Sequence, residues 1–115
     1  MATRSAIGYA LHSGKVKAVY CHWDGYPSHQ LPILEEHYNT FAKVRALVRP
    51  GSMSSLRTEQ MWTDYKRDPQ PLYHHERGDG EPPRTVANPE KYWRDYGCEH
   101  LYVFRPGYGW FHYEL

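Results

Sequence analysis

The sequence predicts an α+β fold: an antiparallel sheet built from an N-terminal and a C-terminal hairpin, with two or three short helices packed on it. Alternating apolar residues flank turn signals near both ends of the chain, and helical spacing is confined to segments between them. The two kinds of pattern are segregated, which is typical of this class. At 115 residues the chain is expected to be a single domain, residues 1–115, with a modest core.

The N-terminal hairpin is predicted over residues 4–23, with Ser13-Gly14 as a two-residue turn. Opposing His12 to Lys15 sets the register, and the predicted core face then pairs Leu11–Val16, Tyr9–Ala18, Ile7–Tyr20 and Ser5–His22. The opposite face carries small and mixed side chains: Ala6, Gly8, Ala10, Lys17, Val19 and Cys21. Such a face predicts partial exposure or close contact with a second subunit.

Two short helices are predicted to follow the hairpin. Asp24 to Pro27 break the strand, and Pro32 is placed in the first turn of a helix that continues through residues 33–38. Asn39-Thr40 offers a cap for a second helix over residues 41–49, which Pro50-Gly51 ends. Its predicted buried stripe is Phe41, Val44, Leu47 and Val48.

The second half of the chain is irregular from Ser52 to Pro83, with a predicted strand at Leu72–Glu76 and a loop from residue 78. Asn88 as cap, Pro89 at the first helical position and Gly97 as stop predict a third helix. The end of the chain predicts a second hairpin around residues 106–109.

Composition excludes several classes of function. A net charge of +1 is too close to neutral for a protein whose main partner is a nucleic-acid polymer. No apolar run of about 18 residues exists, so no membrane partner is expected. The N-terminus lacks a basic segment followed by an apolar stretch, and the two cysteines are then expected to be reduced thiols in the cytoplasm.

Cys21-His22 and Cys98 with His100 could in principle supply four zinc ligands. Neighbours on a regular strand point to opposite faces, so Cys21 and His22 cannot both reach one ion. We therefore expect no metal and no other cofactor.

His22 and Asp24 are candidate catalytic residues, as base and orienting partner, with a hydroxyl from Ser5 or Tyr26. No diagnostic nucleophile motif surrounds them. The alternative is a structural arrangement in which Asp24 caps the turn by accepting backbone N–H groups and His22 bonds to Ser5. We favour the structural alternative.

Arginine and aromatic residues are the more suggestive set. Nine of the fourteen basic residues are Arg, and aromatic residues make up 16% of the chain. Guanidinium groups bind phosphate through planar forks, and rings provide stacking surfaces. The predicted ligand-binding residues are Trp23, Tyr26, Arg57, Trp62, Arg77 and Arg105. The alternative for the arginines is a set of ordinary surface ion pairs.

Several segments, in order, resemble a group of small proteins encoded by bacteriophages and prophages. They are "MATRSAIG", "VYCHWDGYPSH", "ILEEHYNTFAKVRALV", "GSMSSL", "HERGDGE" and "EHLYVFRPGYGWF". The resemblance extends over nearly the whole chain. The match is sharpest from Tyr20 to Pro27. Relatives in this group often carry Asn-Gly just before the first helix, where this chain has Gln30-Leu31, so the entry of that helix departs from the group.

The resemblance implies a context: an accessory viral protein acting against host defence in the bacterial cytoplasm. Such proteins include sponges, often homo-oligomers, that sequester a nucleotide signal without destroying it. We therefore expect a non-enzymatic sponge for a small phosphorylated signal, a cyclic nucleotide or an ADP-ribose derivative. The alternatives are a metal-independent phosphodiesterase or hydrolase using His22 and Asp24, and a protein–protein inhibitor of a host defence enzyme.

Overall fold

The computed structural model of the chain describes residues 2–56, 71–74, 78 and 80–115. These residues form an α+β fold in which three helices pack on a seven-stranded sheet, which confirms the predicted class. In chain order the elements are β1 Ser5–Ala10, β2 Val16–Trp23, α1 Pro27–His37, α2 Phe41–Val48, β3 Met53–Ser55, β4 Leu72–Tyr73, β5 Arg84–Val86, α3 Pro89–Tyr96, β6 His100–Arg105 and β7 Gly109–Glu114. Within the described part of the chain, no helix has the length and apolar character needed to cross a membrane.

The sheet is mixed rather than purely antiparallel. Its strand order is β4-β3-β2-β1-β6-β7, and β5 pairs with the first half of β2. Four of the neighbouring pairs are antiparallel, whereas β1–β6 and β2–β3 are parallel. The parallel contact between β1 and β6 joins the two hairpins side by side, so the two ends of the chain share one sheet.

The N-terminal hairpin forms, but its predicted register is wrong by one residue. The Leu11 N–H donates to the Lys15 carbonyl at 2.7 Å, so the loop has three residues instead of two. Gly14 supplies the left-handed conformation, φ 91°, that this kind of loop needs. The observed pairs are Ser5–Cys21, Ala6–Tyr20, Ile7–Val19, Gly8–Ala18, Tyr9–Lys17 and Ala10–Val16.

A slip of one residue exchanges the two faces of β2 relative to β1. In the observed register, side chains are buried on both faces of the sheet. The first face, under α1 and α2, carries Ile7, Tyr9, Val19, Cys21, Tyr102 and Phe104. The second face, under α3, carries Ala6, Val16, Ala18, Leu101 and Val103. The single core face that was predicted for the hairpin is therefore wrong.

The small residues of β1 lie on the second face of the sheet, which α3 covers. Ala6 is fully buried, and a side chain at Gly8 would collide with Ala18. Trp93 of α3 is 1% exposed and belongs to the same cluster of buried residues. This face is covered by α3, so the predicted partial exposure or contact with a second subunit at these residues is wrong.

Helix α1 begins earlier than predicted. Pro27 occupies its first turn, and Pro32 lies inside the helix. Because proline has no N–H, Pro32 leaves the carbonyl of Ser28 without its usual helical donor. The helix persists because Ile33 and Leu34 are buried in the core of the first face.

Helices α2 and α3 have the predicted caps. Thr40 Oγ1 accepts the Lys43 N–H at 3.3 Å, and Asn88 Oδ1 accepts the Lys91 N–H at 3.2 Å. Gly97 ends α3 in the left-handed conformation, φ 110°. Local side-chain chemistry therefore determines where these helices start and where α3 ends.

The buried stripe of α2 consists of Val44, Leu47 and Val48. Phe41, predicted to be buried with them, is 37% exposed. Its ring packs edge-to-face on Tyr9, with 5.3 Å between the ring centroids. This prediction was wrong because the first residue of the helix lies at the rim of the sheet.

The C-terminal hairpin forms as predicted, with Arg105 opposite Gly109. The predicted strand at Leu72–Glu76 is present as β4, Leu72–Tyr73, and residues 75–77 lie outside the described residues. Strands β3 and β5 were not predicted. Both are only three residues long, too short to show a clear alternation.

Candidate ligand-binding site

The predicted ligand-binding residues Arg57, Trp62 and Arg77 lie outside the described residues. Trp23 and Tyr26 are described, and both lie where β2 leaves the sheet. Trp23 is the last residue of β2 and is 45% exposed, and Tyr26 is the N-cap of α1 and is 40% exposed. These two rings are therefore accessible at one edge of the molecule.

Arg105 lies at the opposite end of the sheet from Trp23. Ser5 pairs with Cys21 on one side and with His100 on the other, so Cys21 and His100 lie at the same height along the strand direction. Arg105 follows His100 along β6, and Trp23 lies beyond Cys21 in the other direction. At about 3.3 Å per residue, roughly 23 Å separates the two backbone positions along the strands. Within this chain they do not line one cleft.

The turn after β2 is held by backbone contacts. Asp24 has a positive φ of 57°, and the Gly25 N–H donates to the Thr3 carbonyl at 2.9 Å. The Tyr102 hydroxyl donates to the Gly25 carbonyl, and a side chain at Gly25 would collide with Ser5. The Asp24 carboxylate makes no hydrogen bond to a described residue, so the predicted cap by Asp24 is wrong.

The predicted pairing of His22 with Ser5 is also wrong, because Ser5 pairs with Cys21. The Ser5 hydroxyl accepts a hydrogen bond from Gln30 Nε2 at 2.9 Å in the core. The Nδ1 atom of His22 is instead 2.7 Å from the Tyr20 hydroxyl. His22, Asp24 and Ser5 therefore do not form a catalytic dyad with an adjacent nucleophile.

The two cysteines are buried in different clusters. Cys21 belongs to the core of the first face and Cys98 to that of the second. Burial raises the pKa of the Cys21 thiol to about 11 and that of Cys98 to about 12. Both are therefore protonated near neutral pH and poor metal ligands. Among the described residues, no group of three His, Cys, Asp or Glu side chains could hold a metal ion.

A set of hydrogen-bonded polar side chains lies near β3, β4 and α3. We call it the second-face network, and its pairs are Tyr20 Oη–His22 Nδ1 at 2.7 Å, Tyr96 Oη–Glu81 Oε2 at 2.7 Å and Ser52 Oγ–His74 Nδ1 at 3.0 Å. Burial lowers the pKa of His22, and the nearby positive charges of Arg4 and His74 lower it further. Each member of the network already has a partner within the protein.

A groove of about 380 Å³ lies between α2 and the β1–β2 hairpin on the first face. Lys17, Arg45 and Arg49 line it, and we call it the basic groove. Tyr9 also lines it and lies directly opposite Lys17 in the sheet. None of the three cations forms an ion pair with a carboxylate of a described residue. The groove therefore presents positive charge that no described acidic side chain neutralises.

Helical spacing brings the two arginines to this groove. Ala42, Arg45, Ala46 and Arg49 are three or four residues apart and so lie on one side of α2. The alanines keep the space between the guanidinium groups open. Pro83, just before β5, completes the lining.

A second groove, of about 420 Å³, is lined by Phe41, whose ring packs on Tyr9 of the first groove. It lies between the end of β1 and the turn of the C-terminal hairpin, and we call it the aromatic groove. Its lining residues are Ala10, Leu11, His12, Phe41, Arg105, Pro106 and Tyr108. The structure thus places one predicted ligand-binding residue, Arg105, in the lining of the aromatic groove.

Comparison with protein-family models, with curated proteins and with solved structures finds no match for this chain. The functional argument therefore depends on the geometry of the two grooves.

Sequence reasoning missed Lys17, Arg45 and Arg49. A signal for the arginines was present, since two arginines four residues apart alternate with alanines along one side of a predicted helix. Nothing local could have added Lys17, because its place beside α2 depends on the hairpin register and on packing across the first face.

Proposed function

We propose that this protein binds a small phosphorylated ligand in the basic groove and sequesters it intact. The observation that carries the proposal is the meeting of Lys17, Arg45 and Arg49 in one groove without an acidic partner among the described residues. Hydrogen bonds between such cations and phosphate each contribute about 1.5–3 kcal/mol. A volume of about 380 Å³ lies within the range of small-molecule sites.

The chemistry of the lining favours a binder over an enzyme. Its described side chains are those of Tyr9, Lys17, Pro83, two alanines and two arginines. Guanidinium groups hold phosphate but do not exchange protons near neutral pH. This supports capture of the ligand without cleavage.

The candidate ligands are cyclic nucleotides and ADP-ribose derivatives, which combine phosphate with planar bases. The resemblance to small phage proteins supports a role as a sponge for a host-defence signal in the bacterial cytoplasm. It also supports a homo-oligomer, and native mass spectrometry of the purified protein measures the number of subunits.

The direct test is equilibrium binding by isothermal titration calorimetry. We expect inorganic pyrophosphate to bind the wild-type protein, and at least one of cyclic di-AMP, cyclic di-GMP, 3′,5′-cyclic AMP and ADP-ribose to bind more tightly. Heating the complex should then release that ligand chemically unchanged. Cleavage of the bound ligand, or the absence of any phosphate binding, would contradict the proposal.

Arg45→Ala and Arg49→Ala should each weaken pyrophosphate binding by about tenfold or more. Arg94→Ala is the matched control. Arg94 is also an exposed arginine in the last turn of a helix, but α3 lies on the other side of the sheet. An equal loss of affinity in the Arg94 variant would show that net charge, and not the basic groove, binds the anion.

A further inference from the structure

We infer that the basic groove and the aromatic groove bind a single nucleotide, with its phosphate on the cations and its base against Phe41 and Tyr108. This inference rests on the proposed function and specifies the ligand class. A simple phosphate or a sugar phosphate would use only the basic groove.

The two grooves approach each other at the contact between Phe41 and Tyr9. The Phe41 ring lines the aromatic groove and packs edge-to-face on Tyr9, which lines the basic groove. The Arg45 guanidinium carbon lies 5.6 Å from the centroid of the Phe41 ring. A phosphate held by Arg45 is therefore next to the boundary, and the group attached to it can enter the aromatic groove.

The aromatic groove offers what a base needs. Tyr108, at the turn between β6 and β7, is 83% exposed, and Phe41 is 37% exposed. Exposed rings bind bases of any sequence by stacking, because every base has a π face. Leu11 and Pro106 add apolar surface to the same groove.

The guanidinium of Arg105 is held on the second face of the sheet, away from Phe41. Its Nη2 donates to the Tyr113 hydroxyl at 2.8 Å, and its guanidinium lies 5.6 Å from the centroid of the Phe111 ring. Arg105 therefore belongs to the lining of the aromatic groove, but the contacts to the base are those of Phe41 and Tyr108.

The test compares pyrophosphate with ADP, GDP, CDP and UDP by isothermal titration calorimetry at one salt concentration. We expect at least one nucleoside diphosphate to bind about tenfold or more tightly than pyrophosphate. Tyr108→Ala should remove this advantage and leave pyrophosphate affinity unchanged. Phe41→Leu keeps an apolar side chain against Tyr9 and should also reduce the affinity advantage of the nucleotide over pyrophosphate.

The matched control is Tyr26→Ala, an exposed tyrosine at the other end of the sheet, which should keep the full nucleotide advantage. The inference is overturned if none of the four nucleotides binds more tightly than pyrophosphate, or if Tyr26→Ala has the same effect as Tyr108→Ala. If wild-type protein binds neither pyrophosphate nor nucleotides, the proposed function fails as well. Pyrophosphate binding without a nucleotide advantage removes only this inference.

Discussion

The basic groove and the second-face network are both rich in polar side chains, but they differ in how those groups are satisfied. In the network each hydroxyl, imidazole or carboxylate has a hydrogen-bond partner within 3.0 Å. In the basic groove Lys17, Arg45 and Arg49 have no acidic partner among the described residues. The network contributes to stability, whereas the groove leaves its charges available to an external anion.

The comparison explains why these histidines are not part of the candidate site. His22 and His74 lie close together, yet each already bonds to a hydroxyl, of Tyr20 and Ser52 respectively. Polar groups satisfied in this way hold the strands and the segment around Glu81 together. The difference predicts that substitutions on the second face change stability and that substitutions in the groove change binding.

The largest expected effect is on the second face. Trp93 is 1% exposed and packs in the cluster under α3, so Trp93→Ala should lower the free energy of unfolding by about 3–5 kcal/mol. Urea unfolding followed by circular dichroism measures it. Trp93→Phe keeps an aromatic ring and removes an indole N–H that has no hydrogen-bond partner among the described residues, so it should cost clearly less. Equal losses in the two variants would contradict this account of the packing.

The next effect tests the network itself. The Ser52 hydroxyl accepts the Glu81 N–H at 3.0 Å and bonds to His74 Nδ1 at 3.0 Å. Ser52→Ala leaves both groups without this partner and should destabilise the protein by about 1–3 kcal/mol. Ser54→Ala is the control, because the Ser54 hydroxyl makes no hydrogen bond to a described residue. Its cost in the same urea experiment should stay within about 0.5 kcal/mol.

Substitutions in the basic groove should change ligand binding and leave the stability of the fold nearly unchanged. Arg45 and Arg49 are exposed, so the double variant Arg45→Ala/Arg49→Ala should change the free energy of unfolding by less than about 1 kcal/mol. Its loss of pyrophosphate affinity should exceed that of either single variant. A large loss of stability would show that these arginines support the fold, and the contrast between the two regions would disappear.

The smallest effect is the pH dependence of stability. Burial lowers the pKa of His22 on the second face and of His112 in β7, and His100 lowers that of His112 further. The unfolded chain therefore takes up protons first as the pH falls below about 6.5, so folding stability decreases with falling pH in that range. Urea unfolding at pH 5.5 to 8 measures this slope. His22→Gln and His112→Gln should each flatten it, and a slope of the opposite sign would contradict the argument.

Local chemistry made much of the fold predictable. The caps of α2 and α3, the stop at Gly97 and the C-terminal hairpin each depend on a few neighbouring residues. The register of the first hairpin was wrong because Gly14 closes a three-residue loop, and both loop lengths use glycine. Pro32 was predicted in the first turn of α1 but lies inside the helix. A helix can retain an internal proline when burial of the helix compensates for the lost hydrogen bond.

The candidate site was less predictable than the fold. Arg105 was predicted to be a ligand-binding residue and lies in the aromatic groove, while Trp23 and Tyr26 lie at the other end of the sheet. Lys17, Arg45 and Arg49 were missed because each resembles an ordinary surface cation in the sequence.

The sequence by itself determined the fold class, the boundaries of the capped helices and the positions of the turns, because these follow from contacts between residues near in the chain. Only the tertiary structure decided which side chains of β2 share a sheet face with which side chains of β1. It also decided which cations come together in the basic groove. Those outcomes depend on packing α2 against the first face, through contacts between residues about thirty positions apart, such as Tyr9 and Phe41. No local pattern encodes that packing, and the basic groove exists because of it.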